Sequence, residues 1–153
     1  MSIYNSIGQQ YSKTRVPDIR IVNKLIDLLN LSEGSIIADI GAGSGGYSLA
    51  LANQGFIVNA VEPSVVMQKQ AVEHQQIKWF TGYAENLPLL DNSVDAVVSI
   101  LVTHHFSHLE KAFQEMHRII RDGAISLLTF DIRLAQKIWL SVFMGRCITI
   151  FTT

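Results

Sequence analysis

Ten residues, DIGAGSGGYS from Asp39 to Ser48, carry four glycines where an apolar run ends and an apolar helical pattern begins. Glycine has no Cβ, so it accepts positive φ and lets a ligand lie against the main chain, while a following helix offers unpaired N–H groups. Gly41, Gly43, Gly45 and Gly46 in a single turn exceed what a plain strand-to-helix connection needs and point to a ligand cradle. The spacing Gly41-x-Gly43-x-x-Gly46 fits a dinucleotide loop as well as an adenosyl-binding one, so the loop alone leaves both open. Two carboxylates bear on the choice. Asp39 stands two residues before Gly41, where it would lie unfavourably close to a pyrophosphate, whereas a cationic ligand suits it. Glu62 closes the next apolar run, about 20 residues beyond the loop, where an acidic side chain can accept from a ribose diol.

S-adenosyl-L-methionine meets these demands: it carries a sulfonium and an ammonium, has a ribose diol and contains no phosphate. Methyl transfer from a sulfonium is an in-line displacement in which the donor is already activated, so the protein's task is chiefly alignment. Where the acceptor must lose a proton, a nearby base adds a factor of about 10² to 10⁴. His104 and His105 follow another apolar run and are the candidates for that base. In HHFSH, His104 and His108 would share one face of a helix, yet neither a cysteine nor a fixed carboxylate ligand stands near, and no metal is expected. His74 and His117 fall within helical patterns as surface or packing residues, and Trp79 reads as core of a strand.

The elements that must position these groups follow from apolar periodicity. Ile19, Val22, Ile26 and Leu29 recur at helical spacing, with Pro17 suited to a first turn, which predicts a helix over 17–29. Compact apolar runs predict buried strands at 35–40, 56–61, 77–80, 94–101 and 124–130. Helices are expected at 47–53, from Pro63 and Ser64 onward, and at 107–121. This alternation predicts an α/β fold: a three-layer Rossmann-like sandwich with a mostly parallel, doubly wound sheet. The glycine loop, Glu62, the loop at Gly82 and His104 all follow strand ends, so they converge on one rim.

The 153 residues read as one domain, 48% hydrophobic and 16% charged, with a net charge of -1. That balance gives no electrostatic footprint for nucleic acid or an acidic membrane. The one cysteine, Cys147, cannot form an internal disulfide, and the N-terminus lacks a secretory pattern, so a cytoplasmic location is expected. The apolar runs fall short of the roughly 20 residues that cross a bilayer.

Five segments, in order, resemble the class I S-adenosylmethionine-dependent methyltransferases, specifically the methyltransferase type 11 group. They are Asp39-x-Gly41-x-Gly43-x-Gly45, Glu62-Pro63-Ser64, GYAENLP at 82–88, DNSVDAV at 91–97 and FQEMHRIIRDG at 113–123, within a resemblance over residues 11–130. The resemblance implies that Gly41, Ala42, Gly43 and Gly45 pack against the methionine and ribose part, that Asp39 orders their loop, and that Glu62, beside Pro63, holds both ribose hydroxyls. It further implies that Ala84 meets the adenine edge through its backbone, with Tyr83 and Glu85 beside it as cofactor-binding candidates. Tyr83 stands where the family commonly has an acidic residue, and stacks or caps instead. Residues 1–16 resemble a segment that covers the cofactor, with Tyr11 within it and Arg15 a partner for the methionine carboxylate.

Family members continue past the fifth strand with a helix and two more strands, the last antiparallel, so the fold is expected to be C-terminally shortened. In the divergent tail 131–153, a helix is expected over 131–144 and a strand over 147–153 that pairs with the fifth strand; an unpaired edge would favour self-association. The expected activity is methyl transfer to a small-molecule acceptor. The alternatives are a catalytically silent, truncated module that binds the donor and, third, an NAD-dependent oxidoreductase.

Overall fold

In the computed structural model the described residues are 16–129 and 148–152; Tyr11, Arg15 and the helix expected over 131–144 lie outside them. The strands are β1 (Ile36–Ile40), β2 (Ile57–Val61), β3 (Ile77–Phe80), β4 (Ala96–Ile100), β5 (Ile125–Thr129) and β6 (Ile148–Thr152). They form one sheet in the order β3-β2-β1-β4-β5-β6, and every neighbouring pair is parallel. The expected tail strand thus does pair with the fifth, Ile148 opposite Ile125, which leaves β3 and β6 as the edges. The order reverses between β1 and β4, the place where such sheets open a crevice at their carboxyl ends.

The sheet is buried on both faces because its strands are apolar at successive positions, and period-two alternation sends neighbours to opposite sides. Ile37, Val58, Ala96 and Val98 pack with Leu25 and Leu29 of α1 (Ile19–Leu29) and Leu51 of α2 (Gly46–Ala52). Ala38, Ile40, Val97 and Leu127 face the other way, into Phe113, Met116 and Ile119 of α4 (Leu109–Ile119). A short helix, α3 (Val65–Gln68), follows β2, and a single 3₁₀ turn (Thr103–His105) follows β4.

The helical boundaries differ from the periodicity in ways that capping explains. Asp18 caps α1, its Oδ1 accepting the Arg20 N–H at 2.9 Å, so Pro17 precedes the cap instead of opening the helix. The buried stripe of α1 is Val22, Leu25 and Leu29, while Ile19 remains 61% exposed. Each fully buried aliphatic side chain contributes roughly 1.5–3 kcal/mol. Trp79 is only half-buried, because β3 is an edge strand and its side chain is covered from one side.

Between β3 and β4 the chain runs without regular structure, and two arginines at the end of α4 satisfy its carbonyls. Arg118 donates to Leu87 O at 3.0 Å and Leu89 O at 2.9 Å and pairs with Asp91 and Glu115, while Glu115 Oε2 accepts the Leu87 N–H at 2.8 Å. Arg121 pairs with Asp95 and donates to the carbonyls of Asn92 and Ser93. Asp95 Oδ2 in turn accepts the Ile36 N–H at 2.8 Å, fixing where β1 begins. Gly123 lets the turn before β5 close on this segment, since a Cβ there would lie 1.7 Å from the Asp95 carbonyl oxygen. Gly123→Ala should therefore cost about 1–3 kcal/mol, the usual range for forced overpacking. Urea unfolding checks this: the expected result is a lower midpoint with an unchanged slope.

Candidate functional site

At the carboxyl ends of β1 and β4 lies a cavity of about 320 Å³, at the reversal of strand order and lined also by Val16, Pro17 and Asp18, just ahead of α1. Its floor is the glycine turn. Gly41 and Ala42 donate their N–H groups to Val61 O at 2.8 and 3.1 Å, and Gly45 donates to Ala42 O at 2.9 Å. Gly41 has φ +77°, and a Cβ there would meet Val102 Cγ2 at 2.6 Å, so conformation and crowding both demand glycine. Gly43 has φ +59° but only Met67 Cε near, at 3.5 Å, so its bareness serves the backbone conformation and leaves the cavity open.

The two acidic residues read from the sequence meet here. Asp39 is 2% exposed and accepts the Ser48 hydroxyl at 2.6 Å. Burial pushes its carboxyl up to about 6, the nearby Glu62 charge adds to the shift, and the Ser48 hydrogen bond opposes it. Glu62 is 5% exposed, and its two oxygens accept the Ser64 N–H at 2.8 Å and the Gly43 N–H at 3.0 Å. Burial raises its pKa as well, against those two backbone bonds. The cavity lining includes Asp18, Asp39 and Glu62 but, among the described residues, no lysine or arginine. A site of this sign favours a cation and disfavours a pyrophosphate.

His105 also lines the cavity, whereas His104 does not; the rings lie 3.9 Å apart, tilted by 45°. Burial and the neighbouring His104 both lower the His105 pKa, which favours the neutral imidazole. Thus Asp39, Gly41, Ala42, Gly43, Glu62 and His105 come together, and several other sequence candidates stand apart. A Cβ at Gly45 would lie 2.7 Å from Trp79 Cζ2, so this residue abuts the indole and not the cavity. Pro63 is half-buried beside Glu62, Tyr83 is 53% exposed in a small turn, and Ala84 is buried; none of the three lines the cavity. Glu85 is engaged elsewhere, its Oε1 accepting the N–H groups of Ser107 at 2.6 Å and His108 at 3.1 Å. Among the described residues no group of three His, Cys, Asp or Glu comes together as a metal site.

Sequence reasoning missed Met67, Tyr47 and Leu101 among the lining residues. Leu101 has φ +55°, rare for a branched side chain, and its N–H donates to Leu128 O at 2.8 Å, so β4 turns sharply as it reaches the cavity. Nothing in its local sequence signals that conformation, although its place at the end of an apolar run beside the rim could have marked it.

The raised pKa of Asp39 has a stability consequence. With a folded pKa of about 6 against an ordinary 3.8, the folded state holds this proton more tightly than the unfolded chain. Its contribution is therefore most favourable below the ordinary value, declines as pH rises toward 6, and is a constant penalty above, on the order of 2–3 kcal/mol. Asp39→Asn keeps an acceptor for Ser48 and removes the ionisation. Unfolding at a series of pH values should show it more stable than the parent by on the order of 1–3 kcal/mol at pH 7.5, with the advantage vanishing near pH 4.

Comparison with known proteins agrees with this geometry. The sequence profile of the family described as "Methyltransferase domain" matches residues 38–128. The chain is 33% identical over 130 residues to the tRNA (carboxymethyluridine(34)-5-O)-methyltransferase of Mus musculus, a match covering 82% of this chain and 19% of that protein. It is 33% identical over 92 residues to the ubiquinone/menaquinone biosynthesis C-methyltransferase of Rubrivivax gelatinosus, covering 59% of this chain and 37% of that one. Among solved structures, a proposed methyltransferase of an antibiotic biosynthesis pathway from Anabaena variabilis superposes with a TM-score of 0.76 at 76% identity, covering 83% of this chain. The chain spans 51% of that Anabaena protein and smaller shares of the two curated relatives. With the profile spanning the glycine turn, Glu62 and every strand from β2 to β4, the chain belongs to the class I S-adenosylmethionine-dependent methyltransferases.

Proposed function

We propose that the cavity holds S-adenosyl-L-methionine and that the protein transfers its methyl group to a small-molecule acceptor. The observation that carries this reading is the pair of buried carboxylates, Asp39 and Glu62, lining a cavity without a lysine or arginine among the described residues. Bringing a sulfonium and an ammonium there relieves the mutual repulsion of two desolvated anions. An NAD-dependent oxidoreductase, the third alternative, falls with the family assignment.

When bound, the donor supplies a methyl group already activated for displacement. The chain's own residues then bind and orient. Glu62 has given one acceptor position on each oxygen to Gly43 and Ser64, and a carboxylate offers about four in all, so two remain for a ribose diol. Asp39 braces α2 through Ser48 and sets the sign of the cavity. Gly41, Ala42 and Gly43 present bare backbone to the methionine and ribose part, and Ala84, with Tyr83, is assigned the adenine edge. Tyr11 and Arg15 are assigned to cover the donor. His105, at the cavity wall, takes the acceptor's proton where the acceptor has one to lose.

A second reading, a tRNA acceptor, has one observation in its favour: the mouse tRNA methyltransferase matches over 82% of this chain. The net charge of -1 weighs against it, since neutralising phosphates requires a cationic surface. A catalytically silent donor-binding module is the remaining alternative, and turnover decides it. Among the described residues no helix is long and apolar enough to cross a membrane.

Calorimetry and turnover together separate these readings. Glu62→Ala should weaken S-adenosylmethionine binding by about 1–3 kcal/mol, the cost of leaving polar partners unpaired; an unchanged dissociation constant contradicts the ribose assignment. Release of S-adenosylhomocysteine is expected with small hydroxyl or carbon-acid acceptors and not with total tRNA. Release with tRNA alone reassigns the acceptor, and silence with both beside tight donor binding marks a binding module.

A further inference from the structure

Glu85 lies in the loop that leaves β3, and its carboxylate reaches the segment between the 3₁₀ turn and α4. Its Oε1 accepts two consecutive N–H groups, from Ser107 and His108, at the entrance to α4. His108 occupies the N-cap of that helix without a side-chain cap of its own, so the acceptor that the start of α4 needs comes from a residue more than twenty positions earlier. A carboxylate there also meets the positive end of the helix.

What this contact holds in place is the histidine turn. Thr103–His105 form one 3₁₀ turn, closed by the His105 N–H to Val102 O at 2.8 Å and the Phe106 N–H to Thr103 O at 3.2 Å. At its near end Thr103 is buried against β5 through Thr129. At its far end, Ser107 is tied to Glu85. The loop bearing Glu85 is itself tied to α4, because Glu115 takes the Leu87 N–H and Arg118 takes the Leu87 and Leu89 carbonyls. Loop, turn and helix therefore close into one hydrogen-bonded ring around the His105 side of the cavity.

We propose that Glu85 is a positioning residue for the acceptor side of the site: by holding the Ser107 and His108 N–H groups it keeps the 3₁₀ turn wound so that the His105 imidazole faces the donor cavity. This rests on the reading of that cavity as a donor site, and the link between Glu85 and His105 can be measured without any donor.

The test follows the imidazole resonances of His105 by NMR across pH, assigned with H105Q and H104Q variants, in the parent, E85A and E85Q proteins. Among the described residues the titratable groups sharing the cavity with His105 are Asp18, Asp39, Tyr47 and Glu62, with His104 against its ring, and all of them remain in each Glu85 variant. Two effects of E85A have opposite signs. Mere loss of a nearby negative charge lowers the His105 titration midpoint, whereas release of the turn lets the ring leave its partly buried place beside His104 and raises the midpoint toward the ordinary 6.5. The expected result is a rise in E85A and no rise in E85Q, which loses the charge but keeps an acceptor oxygen on the same stem. S-adenosylhomocysteine should still bind E85A within about threefold of the parent, since Asp39, Gly43 and Glu62 are untouched, but should no longer shift the His105 resonance. A lower melting temperature with an unmoved His105 midpoint in E85A overturns the proposal, as does a fall in the E85A midpoint or a rise in E85Q equal to that in E85A. Failure of S-adenosylhomocysteine to bind the parent protein overturns the donor reading instead, and leaves the donor-free comparison of midpoints to decide the role of Glu85.

Discussion

One buried carboxylate ties the site to the fold. Glu62 sits at the end of β2, and its two oxygens take one N–H from the glycine turn after β1 and one from the residue that caps α3. It thereby joins the ends of two strands and the start of a helix into a single polar cluster within an apolar surround. Burying that charge beside Asp39 is unfavourable on its own account, and the two backbone hydrogen bonds offset only part of the cost. The folded protein keeps a local electrostatic tension at the place where a cationic ligand would relieve it. Stability and ligand affinity are opposed at this pair of residues.

Around that cluster the fold supplies rigidity in two ways. The apolar layers on both faces of the parallel sheet fix where the strands end, so backbone turns there are set by packing and not by loop chemistry alone. The irregular chain between β3 and β4 is held differently, by Arg118 and Arg121 reaching carbonyls that no strand or helix would satisfy. Most of these contacts are partly exposed, and their strength lies in number and geometry more than in any one ion pair.

Much of this was legible in the residues. The glycine turn could be read because glycine adopts the positive φ found at positions 41 and 43 far more readily than other residues, and Asp39 and Glu62 because they close apolar runs that had to be strands. The strand expected at 147–153 lies at 148–152, paired parallel with β5. What escaped the sequence shares a cause: it is decided by residues distant along the chain. Glu85 stands beside Tyr83 and Ala84 in sequence, and its hydrogen-bond partners, Ser107 and His108, lie beyond β4. His104 and His105 were equivalent in sequence, and only the phase of the 3₁₀ turn sends one to the cavity. Leu101 takes a left-handed conformation that no local pattern foretells.

The contact between Trp79 and Gly45 gives the glycine turn a built-in optical gauge. The indole lies half-buried on the edge strand, against Gly45 of the turn whose Gly41, Ala42 and Gly43 line the cavity. Its emission colour depends on how much water reaches the ring, and that depends on how tightly the turn is drawn onto it.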